Sequence, residues 1–250
     1  MTPFWIYLLA IIGGYLIGSI SFARLVFAKL KPGEKPDLIR IPTTDGQAEL
    51  VSHAVGAANV MIAFGSRWGM LVTALDMLKA TLPTLAMRII FPDDPYFLVI
   101  AGAVLVGHLW PVWYRFSGGG GNSSIMGMML AISPLGLLIT HAGGMLIGRF
   151  APMLAFVGGV ALTIPWFAFR DGLFSPEVAF AVVITILYLL ADLKEIKEVK
   201  ALKRKGHKME YGHVMSMMKK SAGTAEPIKG TAEPGKETPE SNIKPKEERL

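Results

Sequence analysis

The chain contains no cysteine. That excludes a disulfide, a thiol nucleophile and a zinc–thiolate site, and leaves the redox compartment without a signature. Charge is scarce as well: 18% of the 250 residues are charged, against 52% hydrophobic. A mean hydropathy of +0.46 is too high for an ordinary soluble domain of this length. The opening "MTPFWIYLLA" lacks a basic n-region, and no A-x-A-like site follows it, so the first apolar run is expected to stay as an anchor. Most of the net charge of +6 lies in the stretch just beyond Leu193. It therefore gives no argument for a nucleic-acid partner, and none is expected. Neither a metal nor a cofactor is expected.

What the chain has in quantity is apolar runs of nearly membrane-spanning length, recurring from Phe4 to Ala191. They predict an all-α polytopic membrane protein. The first span is expected over Phe4–Phe27 and carries Gly14-x-x-x-Gly18, a spacing suited to close helix approach. A polar segment, 29–53, follows. Residues 54–66, "AVGAANVMIAFGS", are too short to cross and read as an interfacial or re-entrant helix. Further spans are expected over Met70–Ile90, Tyr96–Trp113, Pro152–Phe169 and Glu177–Ala191. Between Asn122 and Phe150, Pro134 and the Gly143-Gly144 pair interrupt the pattern. That stretch is either one long span or two short ones hinged near Ser133-Pro134.

Charge chooses between them. Basic residues near short loops favour the cytoplasm, which puts 29–40, Arg67, Arg115 and the Lys-rich exit after Leu193 inside and "PDDP" outside. Two short spans keep Arg149 and the C-terminal exit on that same side. The expectation is therefore about seven transmembrane helices, with the N-terminus outside and the C-terminus cytoplasmic. Three segments follow: a transmembrane domain over 1–192, a basic helical stalk over 193–208, and a disordered tail over 209–250. Within the tail, 223–250 repeats Gly-Thr-Ala-Glu-Pro and has almost no large apolar residue. Its expected contacts are anionic headgroups or a protein partner.

Three polar clusters, 37–59, 107–124 and 192–208, fall on one predicted face, where polar loops can build a shared pocket. The centre of the second is "RFSGGGGNSS" at 115–124. Four consecutive glycines, Gly118 to Gly121, can fold their N–H groups round an anion, or simply turn the chain. Asn122, Ser123 and Ser124 suit helix N-capping. Asp76 and Lys79 share a helix face inside a span, as a structural ion pair or a wet functional one. His108 is a candidate base, or a residue whose ring orients a loop by bonding a backbone carbonyl.

The string "GSISFARLVF…DLIR…SHAVGAANV…ALDMLKATL…VGHLWPVWYRFSGGGGNSS" resembles the bacterial acyl-phosphate:glycerol-3-phosphate acyltransferases, seven-span enzymes of phospholipid synthesis. Gly18-Ser19-Ile20 matches the family's G-S-I-P-x-G. Asp37 and Arg40 approximate D-I-R, while Ser52, Gly56, Ala57 and Asn59 match G-S-G-N-x-G-A-T-N. Asp76 and Lys79 match D-x-x-K-G. Gly107, His108, Pro111, Phe116, Gly118, Gly119 and Gly121 match G-H-x-F-P-x-F-x-x-F-K-G-G-K-G. Ser117 and Gly120 stand where that segment has lysines, His53 and Ala54 follow Ser52, and Asp192 and Glu195 fall where the family's closing segment has histidine and asparagine.

The resemblance implies a membrane acyltransferase of the cell membrane, working on acyl-phosphate and glycerol-3-phosphate at the cytoplasmic face among membrane lipids. It implies Ser52, Asp192 and Glu195 as catalytic candidates, with His53 a further candidate base. Arg40, Asn59, Lys79, His108, Arg115, Gly118, Gly119, Gly120, Gly121 and Ser123 are the candidate phosphate-binding residues. The competing expectations are a relative that binds lipid or a partner without acyl transfer, and a transporter built on broken helices.

Overall fold

The computed structural model describes residues 3–33, 36, 39–52, 54–150 and 154–207. The expected first span is two helices, α1 (Phe4–Gly18) and α2 (Phe22–Leu30). Hydroxyl side chains make the break. Ser19 Oγ donates back to Tyr15 O at 2.8 Å, and Ser21 Oγ accepts from the Arg24 N–H to open α2. Such residues offer the backbone an alternative to the helical ladder.

The all-α expectation needs one correction. The polar segment forms an antiparallel hairpin, β1 (Ile39–Pro42) with β2 (Glu49–Ser52), in a register that sets Ile39 opposite Ser52. The turn between the strands is closed by its own polar groups. Thr43 N–H donates to Ala48 O at 2.8 Å, Gln47 N–H to Asp45 Oδ1 at 3.1 Å, and Gly46 supplies φ +68°. "IRIP" and "ELVS" either side of "TTDGQA" is a hairpin pattern that a charge-based reading passes over.

Helices α3 (Ala57–Phe64) and α4 (Ser66–Ile90) meet at Gly65, where φ is +89°. α5 (Tyr96–Leu109) then runs into a 3-10 turn at Val112–Tyr114. The ambiguous stretch divides into α6 (Asn122–Ile132) and α7 (Pro134–Phe150) at the expected Ser133-Pro134 hinge. At that hinge, Arg88 Nη1 donates to Ala131 O and Ile132 O at 2.7 and 2.9 Å, supplying partners for carbonyls that end a helix. α8 (Leu154–Ala161), α9 (Thr163–Asp171) and α10 (Pro176–Arg204) complete the order, and α10 continues the last apolar run into the basic stretch. Among the described residues, five stretches are long and apolar enough to cross a membrane: Phe4–Leu30, Ser66–Ile90, Tyr96–Tyr114, Leu154–Asp171 and Pro176–Lys194.

α5 is the central post. Its Val104 and Leu105 are buried with Ile125 and Met128 of α6 and Ile184 of α10. Glycines set the closest approaches, as the Gly14–Gly18 spacing predicts. A Cβ on Gly14 would lie 2.9 Å from Ala103 Cβ, and one on Gly18 would strike the Val104 carbonyl, so α1 meets α5 almost backbone to backbone. Gly127 seats α6 against Met77 of α4 in the same way. Leu8, Ile12, Leu82, Ile89, Leu138 and Leu146 point outward and are exposed, the apolar exterior that a bilayer requires.

Candidate functional site

The three polar clusters converge, as the sequence suggests. Val55 N–H donates to Gly118 O at 2.9 Å, which joins the segment ahead of α3 to the glycine loop. His207 Nδ1 lies 2.8 Å from Asp45 Oδ2, which joins the end of the stalk to the hairpin turn. Hydrogen bonds from Thr43, His207 and the Gln47 N–H, in that order of weight, hold the Asp45 carboxyl below its usual range.

The path into the glycine loop is strained. Arg115 and Phe116 both adopt left-handed backbone, at φ +52° and +59°, a conformation that side chains other than glycine seldom take. Pro111 O holds this turn by accepting from Tyr114 N–H at 3.2 Å and Phe116 N–H at 3.0 Å. The loop is then seated on the end of α5: Gly119 N–H donates to His108 O at 3.1 Å, and a Cβ on Gly119 would sit 2.5 Å from His108 Nε2. A Cβ on Gly118 would collide with the His108 and Leu109 carbonyls. Only glycine therefore fits at these two positions. Gly120 differs, since nothing lies within 4 Å of the Cβ it lacks. Gly121, at φ +84°, ends the loop against Leu109 and Tyr188 and caps α6.

Beneath the loop lies a buried ionic cluster. Lys79 Nζ is 2.8 Å from Asp76 Oδ1 and donates to Ile20 O at 2.7 Å, both side chains being 4% exposed. His108 Nδ1 faces the same Asp76 oxygen at 3.6 Å. Lys79 thus holds the α1–α2 break to α4, the structural alternative left open by the sequence. His108 fixes the loop through its own carbonyl, while its ring forms the floor under Gly119.

The remaining candidates separate by position. Asn59 is buried and its Oδ1 accepts from Gly56 N–H at 2.9 Å, so it folds back to close the start of α3. Gly56 itself approaches the loop: its missing Cβ would lie 3.9 Å from Gly119 Cα. Ser52 is on β2. Arg40 pairs with Glu49 across the hairpin at 3.3 Å and is exposed, as is Arg115. Asp192 is half-buried one turn beyond Tyr188 on α10, the same helix that carries Glu195. Ser123 lies in the first turn of α6; Gly121 takes the N-cap position expected of Asn122, Ser123 or Ser124, and no side chain caps this helix. Asp37, His53 and the tail 209–250 lie outside the described residues.

Sequence reasoning missed several residues here. Asn122 Oδ1 and Ser124 Oγ, read from the sequence only as N-cap groups, are buried at the start of α6 with no hydrogen-bond partner among the described residues. Such groups are rare enough to need a reason. Tyr188 packs on Gly121. Arg24 stacks its guanidinium 4.4 Å above the Tyr114 ring. Tyr188 and Arg24 carry no signal by spacing alone, because each meets the loop or its approach only through the packing of distant helices.

The family model described as Glycerol-3-phosphate acyltransferase matches residues 8–202. A glycerol-3-phosphate acyltransferase of Desulforamulus reducens is 35% identical over 161 residues, which cover 63% of this chain and 74% of that protein. That of Methylobacillus flagellatus is 35% identical over 184 residues, 72% of this chain and 85% of the relative. Among solved structures, the crystal structure of PlsY, an integral membrane glycerol 3-phosphate acyltransferase, in its glycerol 3-phosphate form superposes with a TM-score of 0.66 at 27% identity, over 84% of this chain and 98% of that one. Its lysophosphatidic acid form superposes equally well. Fold and site together define a multi-pass membrane acyltransferase. The chain belongs to the glycerol-3-phosphate acyltransferase family.

Proposed function

We propose that this protein transfers an acyl group from an acyl-phosphate to glycerol-3-phosphate at the cytoplasmic face of the membrane, giving lysophosphatidic acid and inorganic phosphate. The observation that carries the proposal is the glycine loop: floored by His108, open at Gly120 and flanked by the first turns of α3 and α6. Within α6 the helical ladder starts with Ile125 N–H donating to Gly121 O at 2.9 Å, so the N–H groups of Asn122, Ser123 and Ser124 lie ahead of it. Such donors at the positive end of a helix suit an oxyanion. They supply by dipole what a lysine at Gly120 would supply by point charge.

The chemistry asks little beyond alignment. A glycerol-3-phosphate hydroxyl oxygen attacks the acyl carbonyl carbon, the carbon–oxygen bond to phosphate breaks, and phosphate leaves with that electron pair. The hydroxyl proton passes to a base, and Asp192 and Glu195 on α10 are the candidates. Ser52, Asn59, Ser123 and the Gly118–Gly121 backbone line the phosphates in this reading, with Arg40, Lys79, His108 and Arg115 supporting them. Seven crossings with the N-terminus outside put the hairpin, loop and stalk on the cytoplasmic side, in keeping with their basic residues. The test is donor identity in lipid. Product should form from an acyl-phosphate and not from the matching acyl thioester. Transfer from the thioester alone would overturn the proposal.

A further inference from the structure

Two phosphate-bearing substrates bring several negative charges to one face, and most cations found there are already matched. Lys79 is neutralised by Asp76 at 2.8 Å, and Arg40 meets Glu49 at 3.3 Å. Arg24 is not matched in this way. It is half-buried on α2, and among the described residues no carboxylate lies within salt-bridge distance of it. Its guanidinium carbon lies over the Tyr114 ring, 4.4 Å from the centroid, and among the described residues only Nη1 makes a side-chain hydrogen bond, a long one of 3.4 Å to Ser21 Oγ. A guanidinium carries five N–H donors in a planar fork suited to phosphate, so most of its capacity is unspent.

Its position ties it to the glycine loop from two sides. Tyr114 begins the strained turn that delivers the chain to Gly118. On the other side, Ser21 follows Ile20, whose carbonyl is held by Lys79. Lys79 pairs with Asp76, Asp76 faces His108, and His108 floors Gly119. The stack on Tyr114 also removes side-chain freedom in advance, which lowers the entropy lost on binding an anion.

We infer that Arg24 is a substrate-phosphate ligand of this site, clamped by Tyr114 and Ser21 so that its fork meets a phosphate held at the glycine loop. The inference rests on the acyl-phosphate reading above. It assigns a contact to a residue that neither the sequence comparison nor charge patterning singles out.

The test compares wild type, Arg24→Gln and Arg24→Lys, each purified in lipid and checked for an unchanged melting temperature. Wild-type turnover comes first: its absence would count against the acyltransferase proposal, before Arg24 is in question. Given turnover, Arg24→Gln should raise KM for one phosphorylated substrate about ten- to a hundredfold, the range for a hydrogen bond to a charged group, with kcat changed much less. Arg24→Lys should recover part of that loss, keeping charge without the fork. If Arg24→Gln does not fold, the rise in KM of Arg24→Lys decides. Unchanged KM for both substrates would overturn the inference. So would a defect seen only in vesicles containing anionic lipid and absent in neutral ones, which would make the ligand a headgroup phosphate.

Discussion

Gly119 and Gly120 are neighbours of identical composition, and the structure predicts opposite outcomes for the same substitution. In Gly119→Ala the new methyl would lie 2.5 Å from His108 Nε2 and 2.9 Å from Cε1. The ring cannot withdraw freely, because it is 8% exposed and its other nitrogen faces Asp76 at 3.6 Å. About an ångström of relief is needed to reach ordinary contact, and the loop must supply it by lifting off the end of α5. A shift of that size at a site that aligns two reactants costs roughly a hundredfold in rate. Overpacking of this kind also costs about 1–3 kcal/mol of stability. In Gly120→Ala the methyl enters open space, and the residue does not need left-handed backbone, so activity should stay within about threefold of wild type. The assay is initial-rate acyl transfer by the two variants in lipid, at saturating and limiting glycerol-3-phosphate. Equal effects of the two substitutions, in either direction, would refute the account of the loop as seated at Gly119 and open at Gly120.

Three further outcomes follow from the packing. Lys79→Met should strand the Asp76 carboxylate in a buried site and cost about 3–5 kcal/mol, while Asp76→Asn combined with Lys79→Met should recover much of it; thermal unfolding of the two proteins checks this. Gly107→Ala should drive α1 away from α5, because its Cβ would strike the Tyr15 carbonyl, and should destabilise the protein by about 1–3 kcal/mol in the same measurement. Asp45 has a lowered folded-state pKa. Its contribution is therefore complete above the ordinary carboxylate pKa of about 3.9, and is lost as pH falls through the lower folded value. Hydrogen exchange at the 43–47 turn should accordingly stay protected at mildly acid pH, and Asp45→Asn should quicken it there and at neutral pH, the difference from wild type fading only in strong acid.

The apolar spans, the Ser133-Pro134 hinge and the close-packed Gly14–Gly18 face were all legible because they are local. Hydropathy, proline and i, i+4 spacing act within one helix. The convergence of three polar clusters was legible from basic-residue placement, and contacts such as Val55 to Gly118 and His207 to Asp45 bear it out. The hairpin was missed because its polar turn dominated the segment, although Ile39, Arg40 and Ile41 of β1 alternate. The division of the first span at Ser19–Ser21 was missed because Gly18 reads equally well as a close-packing residue inside one continuous helix. What stabilises that break is Lys79, fifty-nine positions away in the chain. Whether Lys79 and His108 act on a substrate or on the packing was legible only as a pair of alternatives. An ammonium that binds substrate and one that clasps a helix break have the same sequence, and only Ile20 O and Asp76 separate them.

The central claim is that a glycine loop without lysine still holds phosphate for acyl transfer. The most direct test supplies the purified protein in lipid with an acyl-phosphate and labelled glycerol-3-phosphate, and follows labelled lysophosphatidic acid and free phosphate together. The account predicts that both appear in equal amounts and that Gly119→Ala suppresses both. Failure to form any labelled lipid, by a wild-type protein shown to be folded, would contradict it.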